Sequence, residues 1–295
     1  MRWAEGFIAV DWGTTNRRAW RIGPDGAVAA ELADDRGILA VAEGGFADAV
    51  AELGSRLGDL PMLMAGMIGS NRGWIEAPYV PCPAGAEALA AALCWAEPGR
   101  IAIVPGLCFD QGDQADVMRG EEVQILGAQS AGLIGPDALV CHPGTHTKWA
   151  RLTGGRISAF RTVMTGELFN LIKAHSILAD LLAGGIRPDA AFAAGVRHGL
   201  DHDDLGAELF SVRARMLLGK TPREDAASYV SGLLIGSDIR IGLRFAGEGE
   251  IVVMGRPDLT RLFAAALDRS GRKAHELDGE RAFLAGATHL AELVE

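Results

Sequence analysis

Apolar positions along the chain change period at regular intervals, and each change marks an element. Residues 7–13, FIAVDWG, form an apolar run that ends in glycine, the pattern of a buried strand running into a turn. Residues 16–23 alternate and predict a second strand. The Pro24-Asp25-Gly26 turn leads to a third at 28–36. A helical period follows at 46–57, then a fourth strand at 61–69 that opens into a glycine-rich loop. An alanine-rich helix is expected at 85–96, a fifth strand at 101–107 and a helix at 121–133.

Gly135-Pro136-Asp137 punctuates the chain, and the pattern then restarts. Three strands are predicted at 138–144, 146–154 and 156–164. A long helical region spans about 166–245, broken near Gly184-Gly185 and Lys220-Thr221-Pro222. A strand at 250–255, a helix at 257–270, a strand at 273–278 and a helix from 280 complete the series. Three meandering strands followed by alternating strands and helices, done twice, predict mixed sheets flanked by helices. The expected division is 1–136 and 137–295, with a helical insertion in the second half and the two halves joined across a cleft.

Composition narrows the function classes. Of 295 residues, 49% are hydrophobic and 22% charged, as in globular chains. A formal net charge of -10 argues against a nucleic-acid partner, which is normally met by a positive surface. It leaves room for an anionic substrate, which needs only a local cluster of cations. No apolar run reaches the length of a membrane span, and the N-terminus does not read as a signal peptide. Cys82, Cys94, Cys108 and Cys141 are scattered without a CxxC pair, as in reduced cytoplasmic proteins. The expectation is a cytoplasmic protein that binds neither nucleic acid nor membrane. A homo-oligomer is allowed.

The restart is visible in residues as well as in period. Val10-Asp11-Trp12-Gly13-Thr14-Thr15-Asn16 and Cys141-His142-Pro143-Gly144-Thr145-His146-Thr147 each place a Gly-Thr pair where one strand turns into the next. Glycine admits a bulky anion close to the backbone, and turn N–H groups with threonine hydroxyls can cradle phosphate oxygens. A single Gly-Thr hairpin is an ordinary turn. Two at equivalent places suit a nucleotide triphosphate held from both sides. Asp11, at a strand end, has the chemistry to hold Mg²⁺ through water. His142 and His146 are separated by Pro143-Gly144, which excludes the helical spacing a zinc pair would need.

IAVDWGTTNRRAW resembles the first phosphate motif of the actin, hexokinase and Hsp70 superfamily, and HPGTHTKWARL resembles the second. VVMGRPDLTRLF at 252–263 is similar to its adenosine motif, which carries Gly255 and Arg256. Within that superfamily the chain resembles the 2-dehydro-3-deoxygalactonokinase family. The blocks are DWGTTNRRAW, MAGMIGSNRGW, APYVPCPA, VPGL, VMRGEEVQILGA, PGTHTKW, FRTVMTGELF, LFSVRAR, LGKTPRE and SGLLIGSDI, in this order. Two departures stand out: His142 sits where the second phosphate motif often opens with an acid, and Trp12 where a small or aliphatic residue is common.

The resemblance implies an α/β fold of duplicated ribonuclease H-like (actin-like ATPase) domains with an interdomain active-site cleft. It also implies ATP-dependent phosphorylation of a 2-keto-3-deoxy sugar acid. ATP and Mg²⁺ would then engage Asp11, Gly13, Thr14, Thr15, Gly144, Thr145, Gly255 and Arg256. The superfamily draws its catalytic carboxylate from the crossing region that here reads DVMRGEE. Glu121 ranks first as general base, followed by Glu122 and Asp116, and a carboxylate at a helix N-terminus is electrostatically favoured. Arg72, Lys148 and Arg161 are candidates for the sugar carboxylate, since arginine binds carboxylates bidentately and lysine as a point charge. Asn71 and Glu167 are candidates for its hydroxyls. The gluconate epimer as substrate, a glucokinase- or phosphatase-like reaction, and a non-catalytic ATP-binding regulator remain open alternatives.

Overall fold

The apolar run at the start forms β1 (Phe7–Trp12), and the alternating segments after it form β2 (Arg17–Ile22) and β3 (Val28–Asp34). In this computed structural model residues 3–245 and 249–294 are described. Asp25 Oδ1 accepts from the Ala27 N–H at 3.1 Å, and Gly26 takes φ +76, which closes the turn between β2 and β3. Helix α1 (Phe46–Leu57) buries Ala49, Val50, Leu53 and Leu57, the i, i+4, i+8 face that its sequence predicts. Next come β4 (Met62–Gly66), β5 (Tyr79–Pro81), α2 (Ala86–Ala91), β6 (Cys94–Glu97), β7 (Ile101–Ile103), β8 (Gly106–Gln111), β9 (Gln114–Met118) and α3 (Glu121–Ser130).

The restart gives β10 (Ala138–His142), β11 (Thr147–Thr153) and β12 (Arg156–Val163), then α4 (Thr165–His175), α5 (Ala190–Asp201), α6 (Leu205–Leu217) and α7 (Ala226–Phe245). The remaining elements are β13 (Glu250–Gly255), α8 (Pro257–Arg269), β14 (Ala274–Asp278) and α9 (Gly279–Glu292). One sheet has the order β3-β2-β1-β4-β7-β6 and another β12-β11-β10-β13-β14. Each therefore carries the same five-strand core: a first strand flanked by its two followers on one side and two later strands on the other. β1 is antiparallel to β2 and parallel to β4, which is parallel to β7; β10, β13 and β14 run parallel.

The sequence reading departs from this in four places. The expected helix over 85–96 stops at Ala91, and Cys94–Glu97 pairs antiparallel with β7 as β6. Val104-Pro105 divides the expected fifth strand, so that Gly106 begins β8, which forms with β9 a hairpin of a separate three-stranded sheet with β5. The helical insertion has a further break at His202–Asp204 between α5 and α6. The chain resolves into two units. The first runs to Pro136 and takes in Leu152–Ala159 and residues from Gly279 on; the second is Asp137–Arg151 and Phe160–Asp278. Residues 279–295, expected in the second half, thus belong with the first.

Glycine sets the helix packing in both units. A Cβ on Gly127 of α3 would lie 2.2 Å from the Ala282 carbonyl oxygen of α9, and one on Gly286 would lie 2.0 Å from that of Val123. In the second unit Gly195 and Gly199 of α5 interlock in the same way with Gly232 and Gly236 of α7. The first core gathers Ile8, Val10 and Trp12 of β1 with Val50 and Leu53 of α1. The second gathers Leu139 and Cys141 of β10 with Phe192, Val196, Ile235 and Phe263. Among the described residues no helix is long and apolar enough to cross a membrane.

Candidate active site

In the first unit the site is built where β1 and β4 end. After Trp12 the chain turns through Gly13, whose N–H donates to the Asn16 carbonyl at 2.9 Å. The carbonyls of Gly13, Thr14 and Thr15 accept from the N–H groups of Ile38, Leu39 and Gly37 at 3.0, 3.2 and 3.0 Å. This lashing occupies the loop's acceptors. The N–H groups of Thr14 and Thr15 have no partner among the described residues, and both side chains are exposed. Asp11 Oδ2 accepts from Arg18 at 2.8 Å, and Arg18 also reaches Glu280 at 3.3 Å. Behind the loop Arg17 is fully buried, pairs with Asp34 at 2.7 Å and lies 5.0 Å over the Trp12 ring.

Two glycines let the neighbouring segments close in. Gly66, at the end of β4 with φ +92, approaches the Trp12 carbonyl so closely that a Cβ would lie 2.8 Å from it. Gly120, with φ +110, packs on Gly66 and opens α3. This brings Glu121 and Glu122 to the β1–β4 corner. Glu122 is fully buried, with both oxygens 2.8 Å from the Gly120 N–H. Burial, then the neighbouring Glu121 charge, pushes its pKa up to about 8. Glu121 is half-buried and accepts from the Arg119 N–H at 3.2 Å. Asp116 lies apart on β9, paired opposite Phe109.

Asn71 and Arg72 sit on a knotted loop after β4. Trp74 N–H donates to the Ile68 carbonyl at 2.8 Å, Ala77 N–H to that of Gly69 at 2.9 Å, and Ser70 Oγ to that of Met67 at 2.8 Å. Both side chains line a cavity of about 700 Å³ together with Glu43, Phe46 and Trp74. Arg72 is exposed and its guanidinium has no partner among the described residues. Arg119, which the sequence reading passed over, secures the base of this loop. Its Nη2 donates to the Ala77 carbonyl at 2.7 Å and its guanidinium stacks 4.4 Å from the Tyr79 ring.

The second unit carries its own version of the corner. Thr145 is exposed, and its carbonyl accepts from the Glu167 N–H at 2.9 Å, which ties the loop to α4. Gly166 leaves no room for a side chain against the Gly144 carbonyl, 2.3 Å from a Cβ placed there. Gly255 ends β13 with φ +147, and Pro257 starts α8 at its first turn, where the missing N–H costs nothing. Gly144, Thr145 and Arg256 thereby line one cavity of about 370 Å³ with Phe169, Leu259 and Phe263. Asp238 of α7 anchors this corner from below. Its carboxylate accepts from Trp149 Nε1 at 2.7 Å and from the Thr165 hydroxyl, and burial pushes its pKa up to about 6.

The remaining sequence candidates of this unit lie on β11, α4 and β12. Lys148, expected at a loop or strand end, is 6% exposed inside β11 and donates to Thr162 Oγ1 at 2.9 Å. Glu167 contacts His146 at 2.5 Å. Arg161 is exposed on β12. Asp238 carries a signal in the sequence: a lone acid within the otherwise uncharged stretch of 230–239, when buried, must find donors.

A five-strand core repeated in two units, each with a Gly-Thr hairpin at the end of its first strand, defines the actin-like ATPase fold that sugar kinases use. Comparison with known proteins narrows this. The profile of the 2-keto-3-deoxy-galactonokinase family matches residues 11–290, and the chain belongs to that family. A Rhizobium meliloti (strain 1021) protein named as a 2-dehydro-3-deoxygalactonokinase, DgoK1, is 40% identical over 98% of this chain and 97% of its own length. The 2-dehydro-3-deoxygalactonokinase of Escherichia coli (strain K12) is 36% identical, with 98% of each chain covered. A crystal structure from Sinorhizobium meliloti, described under the same enzyme name, superposes with a TM-score of 0.90 at 38% identity, covering 97% of this chain and 98% of that one.

Proposed function

We propose that the protein transfers the γ-phosphoryl group of ATP to the terminal hydroxyl of 2-dehydro-3-deoxy-D-galactonate, yielding the 6-phosphate and ADP. The observation that carries this reading is the cavity in which Gly144, Thr145 and Arg256 meet, in a chain of this family. Its apolar wall of Phe169, Leu259 and Phe263 suits an adenosine, and its Gly-Thr mouth suits phosphates. The free N–H groups of Thr14 and Thr15 suit further phosphate oxygens.

Asp11 is the residue that would hold Mg²⁺. One carboxylate oxygen is engaged by Arg18, and among the described residues no group of three metal-ligating side chains exists. A single carboxylate supplemented by waters and phosphate oxygens fits Mg²⁺, which keeps much of its hydration, and does not fit zinc. When bound, the ion neutralises charge on the phosphates.

Arg72 pairs with the sugar carboxylate and Asn71 with a hydroxyl, both from the knotted loop. Arg161 and Glu167 are further candidates for the sugar acid. Glu121 accepts the proton of the attacking hydroxyl as its oxygen bonds to the γ-phosphorus and the bond to the β–γ bridging oxygen breaks. Glu122 keeps its proton at neutral pH, because its pKa stands near 8, and it braces the Gly120 turn instead. Lys148 supports the hairpin from within the sheet. Incubation with ATP, Mg²⁺ and the sugar acid, followed by mass detection of the phosphorylated acid, tests the reading. Absence of that product, or equal turnover of glucose, would overturn it.

A further inference from the structure

We propose that Glu43 selects the stereochemistry of the substrate, by accepting hydrogen bonds from both the 4- and the 5-hydroxyl of an extended sugar acid. The inference rests on the reaction assigned above and names the group that tells the galactonate acid from its gluconate epimer. Glu43 stands at the second position of a turn that the Gly45 N–H closes on the Ala42 carbonyl at 2.9 Å. Gly44 takes the third position with φ +76, a conformation that favours glycine. The turn sets Glu43 in the wall of the cavity of about 700 Å³ that Asn71 and Arg72 also line.

The charges of this cavity fit a ligand that carries both an anion and hydroxyls. Glu43 and Arg72 are the charged residues among those that line it. They are opposite in sign, yet no ion pair joins them, and neither side chain has a partner among the described residues. Arg72 is left for a carboxylate and Glu43 for donors, since a carboxylate only accepts. The cavity also adjoins the first phosphate hairpin. Ile38 and Leu39, which line it, donate their N–H groups to the Gly13 and Thr14 carbonyls at 3.0 and 3.2 Å. Gly37 packs so closely on the hairpin that a Cβ there would lie 2.4 Å from the Thr14 carbonyl oxygen. An acid whose carboxylate meets Arg72 and whose terminal hydroxyl faces the hairpin lies extended between them. Its two middle hydroxyls are the ones left for Glu43.

In an extended chain the two epimers present these hydroxyls differently. The 4,5-diol of the galactonate acid is threo: with the carbon backbone anti, its two C–O bonds stand about 60° apart on one side of the chain. The gluconate epimer is erythro, and the same backbone sets its C–O bonds about 180° apart, on opposite sides. One carboxylate accepts from both hydroxyls of the first acid with its two oxygens, and from a single hydroxyl of the second. The bond lost is one to a charged group, a factor of about 10–100 in binding. Asn71 remains to donate to a hydroxyl oxygen.

The test is kcat/KM for both acids, prepared as single epimers, in the wild type, Glu43→Gln and Glu43→Ala, beside calorimetric titration of each acid without ATP. The wild type should prefer the galactonate acid about 10–100-fold. Glu43→Ala should bring the ratio to within about threefold, chiefly by raising KM for the galactonate acid, with KM for ATP unchanged. Glu43→Gln keeps one acceptor oxygen and should fall between. Glu43 is exposed, so both variants should keep the wild-type circular dichroism spectrum. A wild-type preference for the gluconate acid, or a ratio that survives Glu43→Ala, overturns the inference. If neither acid is phosphorylated, the reaction assigned above falls, and calorimetry decides the inference alone: a preference for the threo acid that Glu43→Ala removes upholds it, and equal or absent binding overturns it.

Discussion

The hairpins around Gly13 and Gly144 begin as the same device and end differently. Both follow the first strand of a five-strand core, and both carry a buried cation early in the next strand: Arg17 in one, Lys148 in the other. Arg17 pairs with Asp34 and is stacked on Trp12, and Lys148 counts the Thr162 hydroxyl among its partners. The first hairpin is preceded by Asp11. The second has His142 at that place, and its buried acid comes from a helix, as Asp238 bonded to Trp149 and Thr165. One copy keeps a partly exposed acid beside its hairpin and the other keeps one in the interior. The proposed function divides the work along the same line: chemistry at the first hairpin, nucleotide binding at the second.

The largest expected effects test this division directly. Asp11→Asn should lower kcat by at least about 10³-fold if its charge organises the transferred phosphoryl group as proposed. Thr145→Ala should raise KM for ATP about tenfold with a much smaller change in kcat. Steady-state kinetics on both variants decides; equal kcat losses would erase the distinction. Glu121→Gln should lower kcat by about 10²–10⁴-fold, the usual worth of a general base, whereas Glu122→Gln, already neutral at pH 7, should lower it far less. Reversal of that order would transfer the role to Glu122.

Stability probes follow at smaller scale. Arg17→Met strands Asp34 beside the core and should cost about 3 kcal/mol in urea unfolding; Lys148→Met loses a bond to a neutral hydroxyl and should cost about 1–2 kcal/mol. A separate probe is pH. Glu122 stands at about 8 in the folded protein against an ordinary 4.5, so the native state holds a proton that the unfolded chain releases. Its contribution is complete below pH 4.5 and is lost as pH rises toward 8. Asp238, at about 6 against 3.8, acts likewise over a lower window. Glu122→Gln should flatten the fall in stability between pH 5 and 8, and an unchanged slope would show that Glu122 is not the proton's holder.

Much of the scaffold was legible because burial imposes a period. The helix over 46–57 and the strand over 250–255 have the bounds their patterns predict. What escaped has physical reasons. An alanine-rich run such as 85–96 has high helix propensity throughout, so only edge pairing with β7 reveals where β6 begins. The β8–β9 hairpin alternates with polar residues on a small, half-exposed sheet, which weakens its signal. At the site, residues adjacent in sequence to a turn, such as Thr14, Thr15 and Asn71, can be proposed from the sequence alone. Arg119 cannot, because its meaning lies in a partner 42 positions away, Ala77; Asp238 shows as a lone acid in its stretch, but its partner Trp149, 89 positions away, does not.

Helix α9 has a consequence for synthesis. It fills the groove of α3 through Gly127 and Gly286, and Phe283 lies 5.4 Å from Trp20. The first unit thus borrows its last wall from residues made after the whole second unit. At translation rates of about 5–20 residues per second, an apolar surface around Trp20 waits on the order of ten seconds for its cover. A released chain truncated before residue 279 should leave the first unit with this apolar surface open and chaperone-avid.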